Sequence, residues 1–515
     1  MIAECLVLRY GRKKGIGRGE GHFSAVGKRI MGVLSNLEPK SVFYYFEEIT
    51  KIPHGSGNVQ QISDYLVNFA KERDLFYIQD ELKNVIIIKE ATPGYEEEPT
   101  VILQGHMDMV AVKKPDCDID MKTEGLRVAV RGDEIYAEGT SLGGDDGIAV
   151  AYSLALLDSD SIKHPRLEIV ITVDEEVGMD GARSIDLSAL TGNRLINLDS
   201  EDEGIFLTSC AGGARVNCRV HLSHQERQGT ALELAVGGLL GGHSGAEIHK
   251  ERGNSNCLMG RVLNRLLRER PVYLCELAGG LADNAIPRET RALILAEKKD
   301  LEALSEIVKT VETELQAEFA TKDPGVYINV KQLDTGSYAC ATLEDTKRAA
   351  AFLCAVPNGV QAMSADIPGL VETSLNLGIL ELEPKDWDIR TEFSVRSSVE
   401  SAKQALIEKL EAVTELAGGA CEVSGDYPGW KYRKDSPLRE KMVVVYEKMY
   451  GESPRVEAIH AGLECGILGS KIKDLDCVSI GPQMHDIHTT EETLSISSTR
   501  RVWEYLVRLL EEKDS

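Results

Sequence analysis

Acidic and imidazole side chains stand at the ends of several short apolar runs, where they could gather around a metal ion. His106 and Asp108 follow the β-rich run TVILQG (100–105). A His-x-Asp pair alone says little, but at the C-terminal end of a strand it stands where ligand crevices open in α/β sheets. Asp145 and Asp146 lie in SLGGDDGIAVA, after a glycine turn and before an apolar helix. Capping that helix is a sufficient structural reason for an aspartate there. Two adjacent carboxylates on a turn also suit a metal bridge. Glu175 and Glu176 end LEIVITVDEE, and Asp199 ends RLINLD. Far along the chain, His485 and His488 follow CVSIGP (477–482). Either histidine alone reads as a surface residue. Carboxylates gathered in one cleft repel unless a cation neutralises them. Two histidines with three carboxylates suit borderline metals, zinc first, with manganese or cobalt as alternatives.

The elements around these residues read as α/β. Helical periodicity covers 42–52 and 59–73, and GIAVAYSLALLDS (147–159) reads as a buried helix. NVIIIK (84–89), TVILQG, LEIVITV (167–173) and RLINL (194–198) are β-rich. Alternating strands and helices predict a largely parallel sheet with helices on both faces. From 209 to 424 the pattern changes to two successive units of β-α-β-β-α-β type. The first begins at ARVNCRV or LELAV and the second at VYINVKQL. After 425 the α/β pattern returns. The predicted architecture is a three-layer α/β/α catalytic domain, over 37–208 and 425–515. An α+β lid of two ferredoxin-like halves is inserted at 209–424.

The chain has 515 residues, more than one hydrophobic core usually serves. A formal net charge of -25 repels polyanions, so nucleic acid is excluded as a partner. No apolar run approaches the ~20 residues of a membrane span. Eleven scattered cysteines without a Cys-x-x-Cys read as buried free thiols in a reducing cytoplasm, with Cys257, Cys354 and Cys477 in apolar surroundings. Residues 1–36 begin with a basic, glycine-rich stretch whose short apolar run precedes its charges, the wrong order for a secretory signal. They read as a loosely ordered extension.

The motifs HMD, LGGDDG, DEEVGMDGA, NLDSEDEG, GGHSGAEIH, NAIPRE, HAGLECG and a late IH closely resemble, in the same order, those of the aminoacyl-histidine dipeptidases. These are also called Xaa-His or cytosol non-specific dipeptidases. They belong with the carnosinases and glutamate carboxypeptidases among the co-catalytic zinc peptidases. The resemblance runs from about residue 37 to the end.

It implies a role for each motif. Asp145 bridges two metals, His106 and Asp199 complete one site, and Glu176 and His488 complete the other. Asp108 orients the His106 ring through its second nitrogen. Glu175 is the general base for a water held between the metals. The peptide after Asp145 is cis. From the lid, His243 stabilises the oxyanion, Arg396 grips the substrate's C-terminal carboxylate, and Asn284 bonds nearby. Glu464 and His460 are expected to line the pocket for the other end. Asp146 stands where some relatives have asparagine, which adds negative charge beside the bridge.

The implied activity is hydrolysis of dipeptides with broad specificity, Xaa-His dipeptides such as carnosine included. Closure of the lid on substrate and a homodimer are expected with it. An N-acyl amino acid deacylase or a tripeptide aminopeptidase is the alternative on the same scaffold. A non-catalytic binding protein would have lost a ligand or the base, and none is missing.

Overall fold

A computed structural model describes residues 32–383 and 385–514 of the chain. The expected extension over 1–36 falls mostly outside the described residues. Of its last five residues only Leu34 is buried, while Val33, Ser35 and Asn36 are exposed. Leu34 is buried in the core, and Glu47 accepts the amides of Val33 and Leu34 at 2.9 and 3.0 Å. Among the described residues no helix is long and apolar enough to cross a membrane.

An eight-stranded sheet carries the chemistry-bearing residues. Its spatial order is Phe76–Gln79, Val85–Lys89, Leu167–Thr172, Val101–His106, Arg194–Asn197, Asp476–Ser479, Ile205–Cys210 and Arg455–Ile459. The central four strands run parallel, with His106 opposite Thr172 and Gln104 opposite Asn197. Their side chains alternate between two cores, as the pleat requires. Val101 and Leu103 join a cluster under helices Lys40–Thr50, Gln60–Glu72, Gly144–Asp158, Pro437–Tyr450 and Ile496–Glu511. Ile102 joins a second cluster on the opposite face with helix Glu464–Lys471. The predicted helices over 42–52, 59–73 and 147–159 are present, shifted by one to three residues at their ends.

Helix Gly144–Asp158 is buried all round from Gly144 to Leu157, which is why its sequence shows almost no polar face. The Tyr152 hydroxyl satisfies itself by donating to the Thr499 carbonyl at 2.8 Å. The helix packs directly against strand Val101–His106. A side chain at Gly105 would collide with Asp146 and Ala149, so glycine permits that approach.

The chain leaves this sheet after Cys210 and enters a second, nine-stranded sheet at Gly212. Two ferredoxin-like halves make up that sheet, but they are nested, not successive. One half contains His224–Gly237, helix Ser255–Glu269, Tyr273–Gly279, Thr290–Ala296, helix Leu301–Glu318 and Tyr327–Ala341. The other begins earlier, with Gly212–His221. It resumes at helix Leu343–Ala355 and continues through Val371–Glu383, Asp388–Ser397, helix Glu400–Leu416 and Ala420–Tyr427. The stretch VYINVKQL, expected to open the second unit, therefore closes the first. It pairs along its length with His224–Gly237, from Gly237↔Tyr327 to His224↔Ala341. Apolar alternation is the same for either partner, so only long-range pairing decides it. The halves join antiparallel at Ala278↔Glu381 and Gly279↔Leu380. Four helices cover one face of the joined sheet and share its core.

The cysteines divide. Cys477 is buried as expected, Cys257 is half-buried, and Cys354 is exposed.

Candidate active site

The carboxyl ends of the parallel strands bring the candidate ligands together. Val101–His106 delivers His106 directly. The turn after Leu167–Thr172 delivers Glu175 and Glu176, and Asp199 follows Arg194–Asn197 by two residues. Asp145 comes from the start of the buried helix, where it and Asp146 have non-helical backbone angles. The Asp145–Asp146 peptide is cis. Asp145 makes no capping bond at that helix end. Its carboxylate faces two imidazoles instead, so N-capping does not explain the residue.

These side chains form a row. Asp145 Oδ1 lies 3.1 Å from His106 Nε2, and Asp145 Oδ2 lies 3.0 Å from His488 Nε2. His106 Nε2 is also 3.4 Å from Asp199 Oδ1, and His488 Nε2 is 3.0 Å from Glu176 Oε2. Asp145 is thus shared, with His106 and Asp199 on one side and His488 and Glu176 on the other. His485 sits on a two-residue strand and is exposed.

The chemistry of this donor set fits divalent cations. Ligand atoms of His106, Asp145 and Glu176, and of His106, Asp146 and Asp199, lie within 4.8 Å of one another. The second grouping puts Asp146 in place of Asp145. Asp145 is the better bridge, because it touches both imidazoles while Asp146 Oδ2 accepts the His106 amide at 3.2 Å. Glu176 Oε1 and Asp146 Oδ1 are buried without a partner. Burial raises the Asp199 carboxyl to about 6, with Asp145 and Glu176 adding repulsion against the pull of His106. Hydrogen bonds from His488 to the carboxylates of Asp145 and Glu176 raise its pKa to about 10. Burial also pushes the Glu175 carboxyl well above the usual carboxylate range.

Asp108 ties two parts of this site together. His106 Nδ1 lies 2.9 Å from the main-chain carbonyl of Asp108 and 3.5 Å from its carboxylate. The carbonyl is therefore the nearer orienting group. The carboxylate instead accepts the Ser56 hydroxyl at 2.8 Å and the Glu175 amide at 3.1 Å.

One positioning residue is missing from the sequence expectations. Glu492 is buried, and its carboxylate accepts the amides of Leu142, Gly143 and Gly144 at 2.8, 3.1 and 2.8 Å. It therefore holds the glycine turn that leads into Asp145, at whose centre Gly143 has a φ of 67°. The capping of a turn by an acid 348 residues away leaves no local signal.

The second sheet borders one side of the row. A cleft of about 580 Å³ is lined by Glu175, Glu176, His243, Asn284, Arg396 and Tyr427, among others. His243 Nδ1 accepts the amides of Gly245 and Ala246 at 3.2 and 3.1 Å, which leaves Nε2 to carry the proton. Burial lowers its pKa, so the ring is a neutral donor. Arg396 is buried, donates to the Tyr427 hydroxyl at 3.3 Å, and keeps Nε without a partner. A second cavity of about 860 Å³ on the Asp199 side is lined by His460 and the segment 367–371. There His460 Nε2 lies 2.7 Å from Ser374 Oγ of the second sheet.

Glu464 does not line either cavity. It is fully buried beneath His106, where Gln104 and Thr172 donate to it at 2.5 and 2.6 Å. Burial raises it to about 8. Its place at the start of a short helix, packed on the sheet, turns the carboxylate inward.

A profile of peptidase family M20/M25/M40 matches residues 102–512, which spans both halves of the site. The chain belongs to that family. It is accordingly a hydrolase of peptide bonds. The cytosol non-specific dipeptidase of Escherichia coli (strain K12) is 35% identical to this peptidase over 485 residues, covering 94% of this chain and 99% of that protein. The crystal structure of aminoacylhistidine dipeptidase from Vibrio alginolyticus superposes with a TM-score of 0.87 at 36% identity. It covers 94% of this chain and 99% of that one. Aminopeptidase PepT from Bacillus cereus shares the fold more distantly, with a TM-score of 0.53 at 16% identity over 92% of this chain and 98% of its own.

Proposed function

We propose that this peptidase hydrolyses dipeptides of broad sequence, Xaa-His dipeptides such as carnosine included, with two divalent metal ions. The observation that carries the reading is Arg396. Among the described residues its one side-chain partner is the Tyr427 hydroxyl and it forms no ion pair, yet it is buried in the same cleft as Glu175. A buried guanidinium without a counter-charge suits a substrate carboxylate. A clamp in the same cleft as the base would leave little chain beyond the scissile bond. Two relatives above 30% identity carry dipeptidase names, which supports the same length.

His106 and Asp199 would hold one ion, Glu176 and His488 the other, and Asp145 both. When bound, such ions neutralise the carboxylates, polarise the scissile carbonyl and activate water, with zinc the first choice for this donor set. Glu175 takes the proton from the attacking water and returns it to the leaving amine. Asp108 fixes the Glu175 backbone for that transfer. His243 would donate a hydrogen bond from Nε2–H to the oxyanion. Arg396 holds the free carboxylate, Asn284 bonds beside it, and His460 lines the opposite cavity. We assign 37–208 and 425–515 to catalysis and 209–424 to the lid, bounds that fall within three residues of where the chain leaves the first sheet, after Cys210, and the second, after Tyr427. A cytoplasmic homodimer goes with this reading.

Turnover of a panel of dipeptides, tripeptides and N-acyl amino acids, with metal analysis of the purified protein, tests it. Dipeptides should be preferred and two equivalents of metal found. Faster turnover of acyl amino acids or tripeptides would replace it with the deacylase or tripeptidase reading.

A further inference from the structure

The lid sheet ends in a pair of facing thiols far from the catalytic row. Strand Ala420–Tyr427 is the last strand of that sheet and pairs antiparallel with Gly212–His221. The register sets Cys421 directly opposite Cys218. Directly opposed residues have Cβ atoms about 4.5–5.5 Å apart, close to the span of a disulfide. The two sulfurs are 2.7 Å apart, so they already face each other. Cys421 Sγ also lies 3.2 Å from Thr414 Oγ1, whose hydroxyl donates to the Leu410 carbonyl.

The two thiols differ in a useful way. Cys218 is buried, while Cys421 is half-buried and meets solvent at the sheet edge. The hydrogen bond from Cys218 holds the Cys421 thiol below its ordinary pKa. Burial raises most of the other described cysteines, Cys210, Cys257 and Cys275 to about 12. A solvent-reaching thiol of lowered pKa with a resolving thiol beside it is the arrangement that thiol–disulfide exchange requires.

We propose that Cys218 and Cys421 form a dithiol site that a small-molecule disulfide, such as oxidised glutathione, converts to an intramolecular disulfide. The Cys421 thiolate attacks one sulfur of the reagent, forming a mixed disulfide and releasing one thiolate. Cys218 then gives up its proton and attacks Cys421 Sγ, releasing the second thiolate. Two protein thiols are oxidised, and one reagent disulfide is reduced to two thiols. The product would staple the edge strand whose other end carries Tyr427 into the cleft.

The test uses the full-length protein equilibrated with oxidised glutathione, then alkylated under denaturing conditions and mapped by mass spectrometry. The expected result is loss of two alkylatable thiols and a peptide cross-link joining residues 218 and 421, reversed by dithiothreitol. In Cys421→Ser, Cys218 should stay fully alkylatable. The proposal is overturned if both cysteines remain alkylatable in the wild type. It is equally overturned if glutathione stays on Cys421 while Cys218 remains free. The wild-type mapping decides the matter even should a variant fold poorly.

Discussion

Glu492 Oε1 accepts the Gly144 amide at 2.8 Å, one residue before the carboxylate shared by His106 and His488. With the bonds to Leu142 and Gly143, a single buried carboxylate fixes three consecutive amides of the turn. Glu492→Ala leaves those amides without an acceptor, which costs about 3 kcal/mol or more. It also loosens Asp145, so metal affinity should fall about 10–100-fold, as for other outer partners of a metal ligand. Denaturation midpoints and metal titration of Glu492→Ala and Glu492→Asp check both effects. An alanine variant with unchanged metal affinity would mean that the turn holds itself.

Asp108 sets up a different division of labour. Its carboxylate holds the Glu175 amide, and its carbonyl holds the His106 ring. Glu175→Ala should therefore lower kcat by about 10²–10⁴-fold while metal content stays full. Asp108→Ala should lower both activity and metal affinity, the latter by about 10-fold. Parallel kinetics and metal analysis separate the two. Turnover that survives in Glu175→Ala would remove the residue from the role of base.

The catalytic row was legible because three of its members follow strands with strong apolar runs. His106, Glu176 and Asp199 all come within four residues of such a run, and parallel pairing brings those ends to one edge. Sharing of Asp145 was not legible from spacing, since an aspartate before a helix has an ordinary use as a cap. Motif order supplied that role, and the contacts to two imidazoles agree with it. The nesting of the lid halves had no local signature, because Gly212–His221 and Tyr327–Ala341 alternate in the same way and differ only in distant partners. Glu464 was misread for a related reason. A charged residue in a glycine-rich motif resembles a pocket residue, and only burial against Gln104 and Thr172 shows otherwise.

His460 provides a pH signature. Burial lowers it to about 3, with Arg396 adding repulsion. Unfolded histidine titrates near 6.5. Between about 3 and 6.5 the unfolded state therefore binds the extra proton, and stability falls as pH falls through that window. Above 6.5 both states are neutral and the effect vanishes. Wild type should thus lose about 2 kcal/mol more than His460→Gln between pH 7 and pH 5. Urea denaturation at the two pH values measures the difference. Equal losses would show that His460 protonates freely in the folded protein.

The Arg396 assignment makes a prediction about substrates as well as about a variant. A dipeptide amide presents the same scissile bond without the terminal charge. Wild type should prefer the free acid by about 10²-fold in kcat/KM, the size of a buried charge-assisted pair of ~3 kcal/mol. Arg396→Ala should lose most of its kcat/KM for free dipeptides and lose that preference too, because the clamp that distinguishes acid from amide is gone. Arg396→Lys should recover charge but not the planar two-point fit, and fall between them. The comparison is internal to each variant, so a general loss of folding cannot imitate it. If Arg396→Ala still favoured the acid by about 10²-fold, the carboxylate would have to be held elsewhere, and Arg215 in the same cleft would be the next residue to test.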